Sequence, residues 1–399
     1  MKVRSIAVCS ILLLLVSACA RQPLGPASQM ISSPDDITGV RESRIGAQRA
    51  TVVWRHRLSG EEHYFDHVLT NHPLGLMFGY FDRQEPKAVF ARTILDPATG
   101  GILQKGALNR VASYCFWPQV ILHEEAGELR LETERGTLML PQLPVAQGWF
   151  DCLQREDGVV LLGYDQEGRF ITYLDEQGES RWTYRPAPRG PKEIFVLEAF
   201  GSRERLTDLG NGLLGAYGLS IRGLIALDAD TGQLVWDYHI PIEDRICSVD
   251  LSDDGIWVGG LSYDYGGVVA LLAADGTVIR ELEHPAPVVA VGALDEKACW
   301  FMAGWGPDGD NRVYLLENDR LAQEVLDEIE FGPVPEVNHS LVFVNSTKGL
   351  VYLWQPGVAV EAFELPFHGD PKSTQVLGAR DGMVIIQHKN EIYAVSFEE

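Results

Sequence analysis

The chain has few cysteines and few basic residues. Past its first twenty positions it has no apolar run long enough to cross a bilayer as a helix, which takes about 20 residues. Each scarcity excludes something. The six cysteines include no Cys-x-x-Cys pair, which removes zinc knuckles and thioredoxin-type redox sites. Beyond Cys9 and Cys19, the remaining four (Cys115, Cys152, Cys247 and Cys299) sit in strand-like apolar runs, where a buried free thiol fits as well as a disulfide. Lysine and arginine total 33 against 56 acids, a formal charge of −23. A body this acidic repels nucleic acid and anionic lipid, and it favours basic protein surfaces. No glycine-rich phosphate loop follows a strand and opens a helix, and there is no Gly-x-Ser-x-Gly elbow.

Clusters that could carry chemistry are thin. His63-Tyr64-Phe65-Asp66-His67 holds two histidines at i, i+4, with His56 and His72 nearby. Such a set could bind a metal on a helix, but its flanks read as strand and loop, so solvated histidines explain it. Asp308-Gly309-Asp310-Asn311 alternates oxygen donors without the later bidentate glutamate of an EF-hand loop, and a plain turn accounts for it. No metal and no cofactor are expected.

What is present begins at the N-terminus. Lys2 and Arg4 precede an apolar stretch from Ile6 to Leu15, and Val16-Ser17-Ala18-Cys19 closes it. That order is a secretory signal, too short in its apolar part to stay as a membrane span. Val-Ser-Ala-Cys resembles a bacterial lipobox. The resemblance implies that residues 1–18 are removed and that Cys19 becomes an acylated, palmitate-type membrane anchor. Ala20 and Arg21 stand where an aspartate would favour retention at the inner membrane. The expected location is therefore the outer membrane, with the body facing the periplasm. Residues 19–50 carry Pro23, Gly25, Pro26, Pro34 and Gly39 with sparse apolar residues, and they read as a flexible tether. An arm packed on the body is the alternative.

From residue 51 to 399 the pattern is short strands between turn residues. The clearest unit runs from Leu224-Ile225-Ala226-Leu227-Asp228 through Asp230-Thr231-Gly232 to Leu234-Val235-Trp236-Asp237-Tyr238, a hairpin with a tight turn. Weaker copies place the end of the corresponding strand at Asp175, Asp228, Leu272, Glu317, Gln355 and Ser396. Asp96-Pro97-Ala98-Thr99-Gly100-Gly101 offers another copy, and Glu132-Thr133-Glu134-Arg135-Gly136 marks the space for one more. A period of roughly 40–45 residues with four short strands each is the mark of a β-propeller. The expected fold is all-β, an eight-bladed propeller, with seven blades as the alternative and a sandwich array behind it. The last copy stops after its third strand. Thr51-Val52-Val53-Trp54-Arg55-His56 resembles a missing fourth strand, so it is expected to complete the last blade and close the ring, hiding the open edges.

Ala226-Leu227-Asp228, Thr231-Gly232 and Trp236 together resemble the tryptophan-bearing repeat of PQQ-like propellers. An exported lipoprotein built from such blades is similar to the BamB family of outer-membrane barrel-assembly lipoproteins. Most copies here lack the closing glycine and tryptophan. The resemblance implies a non-catalytic scaffold that binds envelope protein partners, among them the barrel-assembly machinery, and no nucleic acid. The PQQ-like repeat also occurs in quinoprotein dehydrogenases, so a periplasmic oxidoreductase or polymer-cleaving enzyme is the alternative. Many such dehydrogenases carry adjacent cysteines over the cofactor, and no mature cysteines are adjacent here.

The lengths of the connections point to one face. With strands A to D in each blade, the B–C and D–A connections share a face, and the C–D turns lie on the other. Several B–C connections are long: Phe81 to Lys87, Ser262 to Gly267, and Gly304 to Asn311. Loops on a rigid scaffold are where binding concentrates. Tyr263, Tyr265 and Trp305, beside Asp308 and Asp310, are the candidate partner-binding residues, since aromatic anchors dominate interface energetics. Drifted surface loops packing on their own blades are the plainer explanation.

Replacing Cys19 with Ser should move the protein from membrane pellets to a soluble or unprocessed form, followed by fractionation and labelled fatty acid. Incorporation of label into that variant would show that Cys19 is not the acylated residue.

Overall fold

Strands that are apolar along their whole length, such as Ala298-Cys299-Trp300-Phe301-Met302-Ala303, have no solvated face to offer. They are stable only when sheets cover them on both sides. The computed structural model satisfies that demand. It describes residues 28–30, 48–57, 65–82, 89–107, 109–110, 120–125, 128–133, 136–140, 148–186, 205–218, 221, 223–240, 245–253, 255–261, 266–295, 297–304, 311–317, 320–330, 334–367 and 374–397.

The described strands form antiparallel sheets of four in chain order. The first sheet comprises Phe65–Leu69, Leu76–Asp82, Val89–Leu95 and Ile102–Ala107. In the second are Asn109–Arg110, Val120–Glu125, Glu128–Thr133 and Gly136–Leu140. The third is Gly148–Arg155, Gly158–Asp165, Gly168–Asp175 and Ser180–Tyr184. Arg205–Gly210, Leu213–Tyr217, Leu224–Asp228 and Leu234–Tyr238 make the fourth. The fifth holds Arg245–Ser252, Gly255–Leu261, Gly267–Leu272 and Val278–His284. Val288–Ala293, Ala298–Ala303, Asn311–Glu317 and Arg320–Ile329 form the sixth. The seventh has Glu336–Val337, Ser340–Asn345, Leu350–Gln355 and Ala359–Glu364. These seven use consecutive strands. A further sheet is composite: Thr374–Arg380, Met383–His388 and Glu391–Ser396 take Thr51–Arg57 as their outer strand.

The fold is an all-β propeller. First strands of successive sheets lie against one another, as Arg245–Ser252 does on Val288–Ala293, and ring the axis. Last strands face outwards, so Leu234–Tyr238 is mostly exposed while Leu224–Asp228 is buried. The apolar core is accordingly divided into wedges between neighbouring sheets. One wedge joins Trp182 and Tyr173 of the third sheet to Leu214 and Leu227 of the fourth, and another joins Phe301 and Tyr314 to Trp257 and Leu271.

One contact recurs between sheets. The indole of an outer-strand tryptophan lies on the glycine of the next sheet's hairpin turn and donates its N–H to a carbonyl there. Trp182 Nε1 donates to the Ala229 carbonyl at 3.0 Å, and Trp236 to Ala274 at 2.9 Å. Gly232 and Gly276 have φ of 70° and 81°. A Cβ on either would stand 2.5 or 2.6 Å from the ring, so nothing larger than glycine fits. The turn itself is fixed by Asp228, whose Oδ1 accepts from the Thr231 amide at 2.8 Å and hydroxyl at 2.7 Å.

Trp54 repeats this contact across the ends of the chain. Thr51–Arg57 pairs antiparallel with Glu391–Ser396, as the sequence implied. Trp54 Nε1 then donates to the Pro97 carbonyl at 2.7 Å, over Gly100. Arg380 Nη1 adds bonds of 2.9 Å to the carbonyls of Thr70 and His72. The ring is thus locked by the composite sheet against the first.

Two points depart from a free tether over residues 19–50. Ser28–Met30 pairs in parallel with Glu281–Glu283 on the outer strand of the fifth sheet. Gln48–Arg49 pairs in parallel with Phe363–Glu364 on the outer strand of the seventh. An exposed sheet edge offers unpaired donors and acceptors, and an extended chain nearby satisfies them. The rest of 1–50, Cys19 included, lies outside the described residues apart from Ala50.

Trp54→Ala should lower the unfolding free energy by about 3–5 kcal/mol, the range for a buried tryptophan truncation. Trp54→Phe, which keeps a ring on Gly100 but loses the N–H, should cost about 1 kcal/mol. Denaturant titration measures both. A chain starting at Leu58 that melts with one starting at Ala47 would refute closure by this strand.

Candidate functional site: two adjacent connections on one face

Tyr263 and Tyr265 fall between Leu261 and Gly267, and Trp305, Asp308 and Asp310 fall between Ala303 and Asn311. All five lie outside the described residues, but the strands that carry them are described. Gly304, at the root of the second connection, donates its N–H to the Pro287 carbonyl at 3.0 Å. A Cβ on Gly267, at the root of the first, would stand 2.4 Å from the Ala286 carbonyl oxygen. Both roots therefore meet the short Pro285-Ala286-Pro287 link between the fifth and sixth sheets. The structure brings the roots of the two connections, Gly267 and Gly304, side by side.

Beneath them the packing is aromatic and polar. Phe301 and Tyr314 stack at 5.1 Å, and the His284 ring lies 5.5 and 5.0 Å from them. His284 Nδ1 accepts from the Ala286 amide at 3.1 Å. Burial holds the His284 pKa below the ordinary histidine range, against the opposing pull of a hydrogen bond with Ala286. Asn311, at the far root, is fully buried and donates Nδ2 to the Ile329 carbonyl at 2.9 Å. Glu330 follows, and its Oε1 accepts from the Ser346 amide and hydroxyl at 2.5 and 2.6 Å. Burial raises the Glu330 pKa. A base of this kind is rigid, which suits loops that present side chains to a partner.

The remaining sequence candidates are placed as follows. His63 lies outside the described residues, and so does the side chain of His67. His56 Nδ1 is 3.1 Å from the Gly100 carbonyl, at the ring closure. His72 is buried with its Nε2 3.4 Å from Glu132, whose other oxygen takes Arg92 Nη1 at 2.6 Å. Thr137 donates to Glu132 at 2.5 Å. His56 and His72 thus serve separate structural roles. Among the described residues no group of three or more His, Cys, Asp or Glu is placed to hold a metal. Among the described residues Cys152, Cys247 and Cys299 form no disulfide with one another, and Cys299 is buried with its pKa pushed well up by desolvation. Cys115 lies outside the described residues.

Near the axis a second polar set appears that sequence reasoning missed. Asp151, at a bulge of the third sheet's first strand, accepts the Leu206 amide of the fourth sheet at 2.8 Å. Desolvation pushes its carboxyl up to about 6. Arg205 and the amides of Leu206 and Cys152 oppose that shift. Asp250 repeats the latch on Ala293 at 2.8 Å. An aspartate in a strand that otherwise reads as inward-facing was the available signal.

Protonation of His284 is disfavoured in the folded state. Its contribution to stability is full above the ordinary histidine value of about 6.5 and is lost as pH falls through the folded pKa below it. His284→Asn, which keeps an acceptor for Ala286, should lose less melting temperature between neutral and mildly acidic buffer than the parent protein. An equal loss would assign the acid sensitivity elsewhere.

No family model matches the chain, and no curated protein matches its sequence. Solved structures do. BamB from Moraxella catarrhalis aligns over 87 % of this chain and 100 % of its own, with 13 % identity and a TM-score of 0.52. Sqt1 from Saccharomyces cerevisiae aligns over 88 % of this chain and 99 % of its own, with 12 % identity and a TM-score of 0.55. A catalytically inactive virginiamycin B lyase from Staphylococcus aureus aligns over 86 % and 98 %, with 11 % identity and a TM-score of 0.47. The likeness to BamB and Sqt1 is one of fold, and that fold is the β-propeller.

Proposed function

We propose that this protein is a non-catalytic, protein-binding scaffold of the cell envelope. In this reading the composite sheet is the eighth blade of the ring. Cys19 carries the lipid that ties it to the outer membrane, and the body faces the periplasm. Its partners are envelope proteins of the outer-membrane barrel-assembly kind, as the sequence resemblance to the BamB family and the shared propeller fold support. The observation that carries the reading is that the roots of two long connections, Gly267 and Gly304, meet on the Pro285-Ala286-Pro287 link. In this reading Tyr263, Tyr265 and Trp305, with Asp308 and Asp310, are presented from connections whose roots meet there. Large aromatics clustered on a firm base act as anchors, each worth roughly 2 kcal/mol or more at an interface, whereas rim carboxylates mainly speed encounter.

Affinity capture from solubilised membranes tests this. Alanine at Tyr263, Tyr265 and Trp305 together should weaken partner capture while leaving the melting temperature nearly unchanged. Full capture by the triple variant would move the binding surface elsewhere. For the enzymatic alternative, the purified protein supplied with PQQ and calcium should show no dye-linked oxidation of alcohols or sugars. Clear turnover would replace the scaffold reading.

A further inference from the structure

The outer strands of a propeller present one unpaired backbone edge each, and this chain fills two of them itself. Ser28–Met30 runs parallel to the fifth sheet's outer strand, and Gln48–Arg49 runs parallel to the seventh's. The rim of this ring therefore accepts extended chain, and it accepts it in one direction.

The fourth sheet, next to the fifth, ends at Leu234–Tyr238 with no strand beyond it among the described residues. Leu234 is 46 % exposed and Val235 53 % exposed. Val235 sits at a register shift, without a partner in the inner strand. Edges are ordinarily guarded by charge, above all by lysine. The first sheet has Lys105 beside exposed Ile102 and Leu103, and the fifth has Arg280 beside Val278 and Ile279. Leu234–Tyr238 contains no basic residue. Asp230 in the preceding turn and Asp237 in the strand are exposed carboxylates instead, Asp237 with His239 Nε2 at 2.8 Å. On a chain of formal charge −23, an apolar edge bracketed by acids selects for basic partners.

We propose that the outer edge of the fourth sheet, Leu234–Tyr238, is a docking edge for an extended segment of a partner protein that alternates apolar and basic residues. The segment adds as a parallel strand, as Ser28–Met30 does on the neighbouring sheet. Backbone hydrogen bonds hold it. Its apolar side chains cover Leu234 and Val235, and its cations meet Asp230 and Asp237. The proposal rests on the scaffold reading above and narrows it to one edge and one kind of partner.

The test uses the full-length protein and a short fluorescent peptide alternating lysine and valine, with a glutamate–valine peptide as control. The lysine peptide should bind, weaken with added salt, and slow hydrogen exchange at the amides of Leu234–Tyr238. Val235→Lys, which adds a guarding charge, should weaken binding by roughly tenfold or more. Ile102→Lys on the first sheet should leave it unchanged, and the glutamate peptide should not bind. Equal binding to the Val235→Lys variant, or no binding to the parent protein, overturns the assignment whatever membrane capture returns. A concentration-dependent dimer that Val235→Lys dissolves, with no peptide bound, overturns it in favour of edge pairing between two copies. Peptide binding intact with no partner captured from membranes would sink the scaffold reading alone.

Discussion

An indole laid on a turn glycine is the contact on which the coherence of this ring depends. Sheets packed face to face through apolar side chains can slide, because dispersion contacts have little direction. The tryptophan N–H fixes the offset by reaching one carbonyl, and the missing Cβ lets the ring close to contact. Trp54, Trp182 and Trp236 each do this. Where the tryptophan is lacking, aromatic rings cross between sheets in other ways. Trp300 meets Phe343 edge-on at 5.7 Å between the sixth and seventh sheets, and Phe363 meets Phe397 at 5.0 Å. Between the first and second sheets the buried set of Arg92, Glu132 and His72 spans the gap. The repeat is one architecture stabilised by different side chains at different joints.

Much of this was legible because the strand just before the hairpin turn is covered on both faces. Such a strand reads as a continuous apolar run and ends sharply at a turn. The expected ends Asp175, Asp228, Leu272, Glu317, Gln355 and Ser396 are the last residues of their strands. The faint copy near Glu132 falls on Glu128–Thr133. Trp54 gave away the closing strand for the same reason. It is a large apolar side chain in an outer strand, and a neighbouring turn buries it.

Other features left no such trace. Ser28–Met30 and Gln48–Arg49 have neither alternation nor length, and their extended form is decided by the edges they meet. Glu132 and His72 read as surface residues, since burial of a charge depends on partners far away in sequence, here Arg92 at a separation of 40 residues. Asp151 belongs to the same class. Its role depends on an amide of the next sheet. For the candidate site, residue type and loop length identified Tyr263, Tyr265 and Trp305. The firmness of the ground beneath them came from Gly267, Gly304 and the proline-flanked link, whose closeness is a matter of tertiary packing.

The route of the N-terminal segment has a mechanical meaning. Ser28–Met30 and Gln48–Arg49 lie on the outer strands of the fifth and seventh sheets, and Thr51–Arg57 is the outer strand of the composite sheet. A load applied at the N-terminus meets these attachments in series. The three-residue pairing bears it first, the two-residue pairing next, and only then the long antiparallel ladder with Glu391–Ser396. The weak attachments are spent before the strong one is strained, so tension is absorbed as released length of chain.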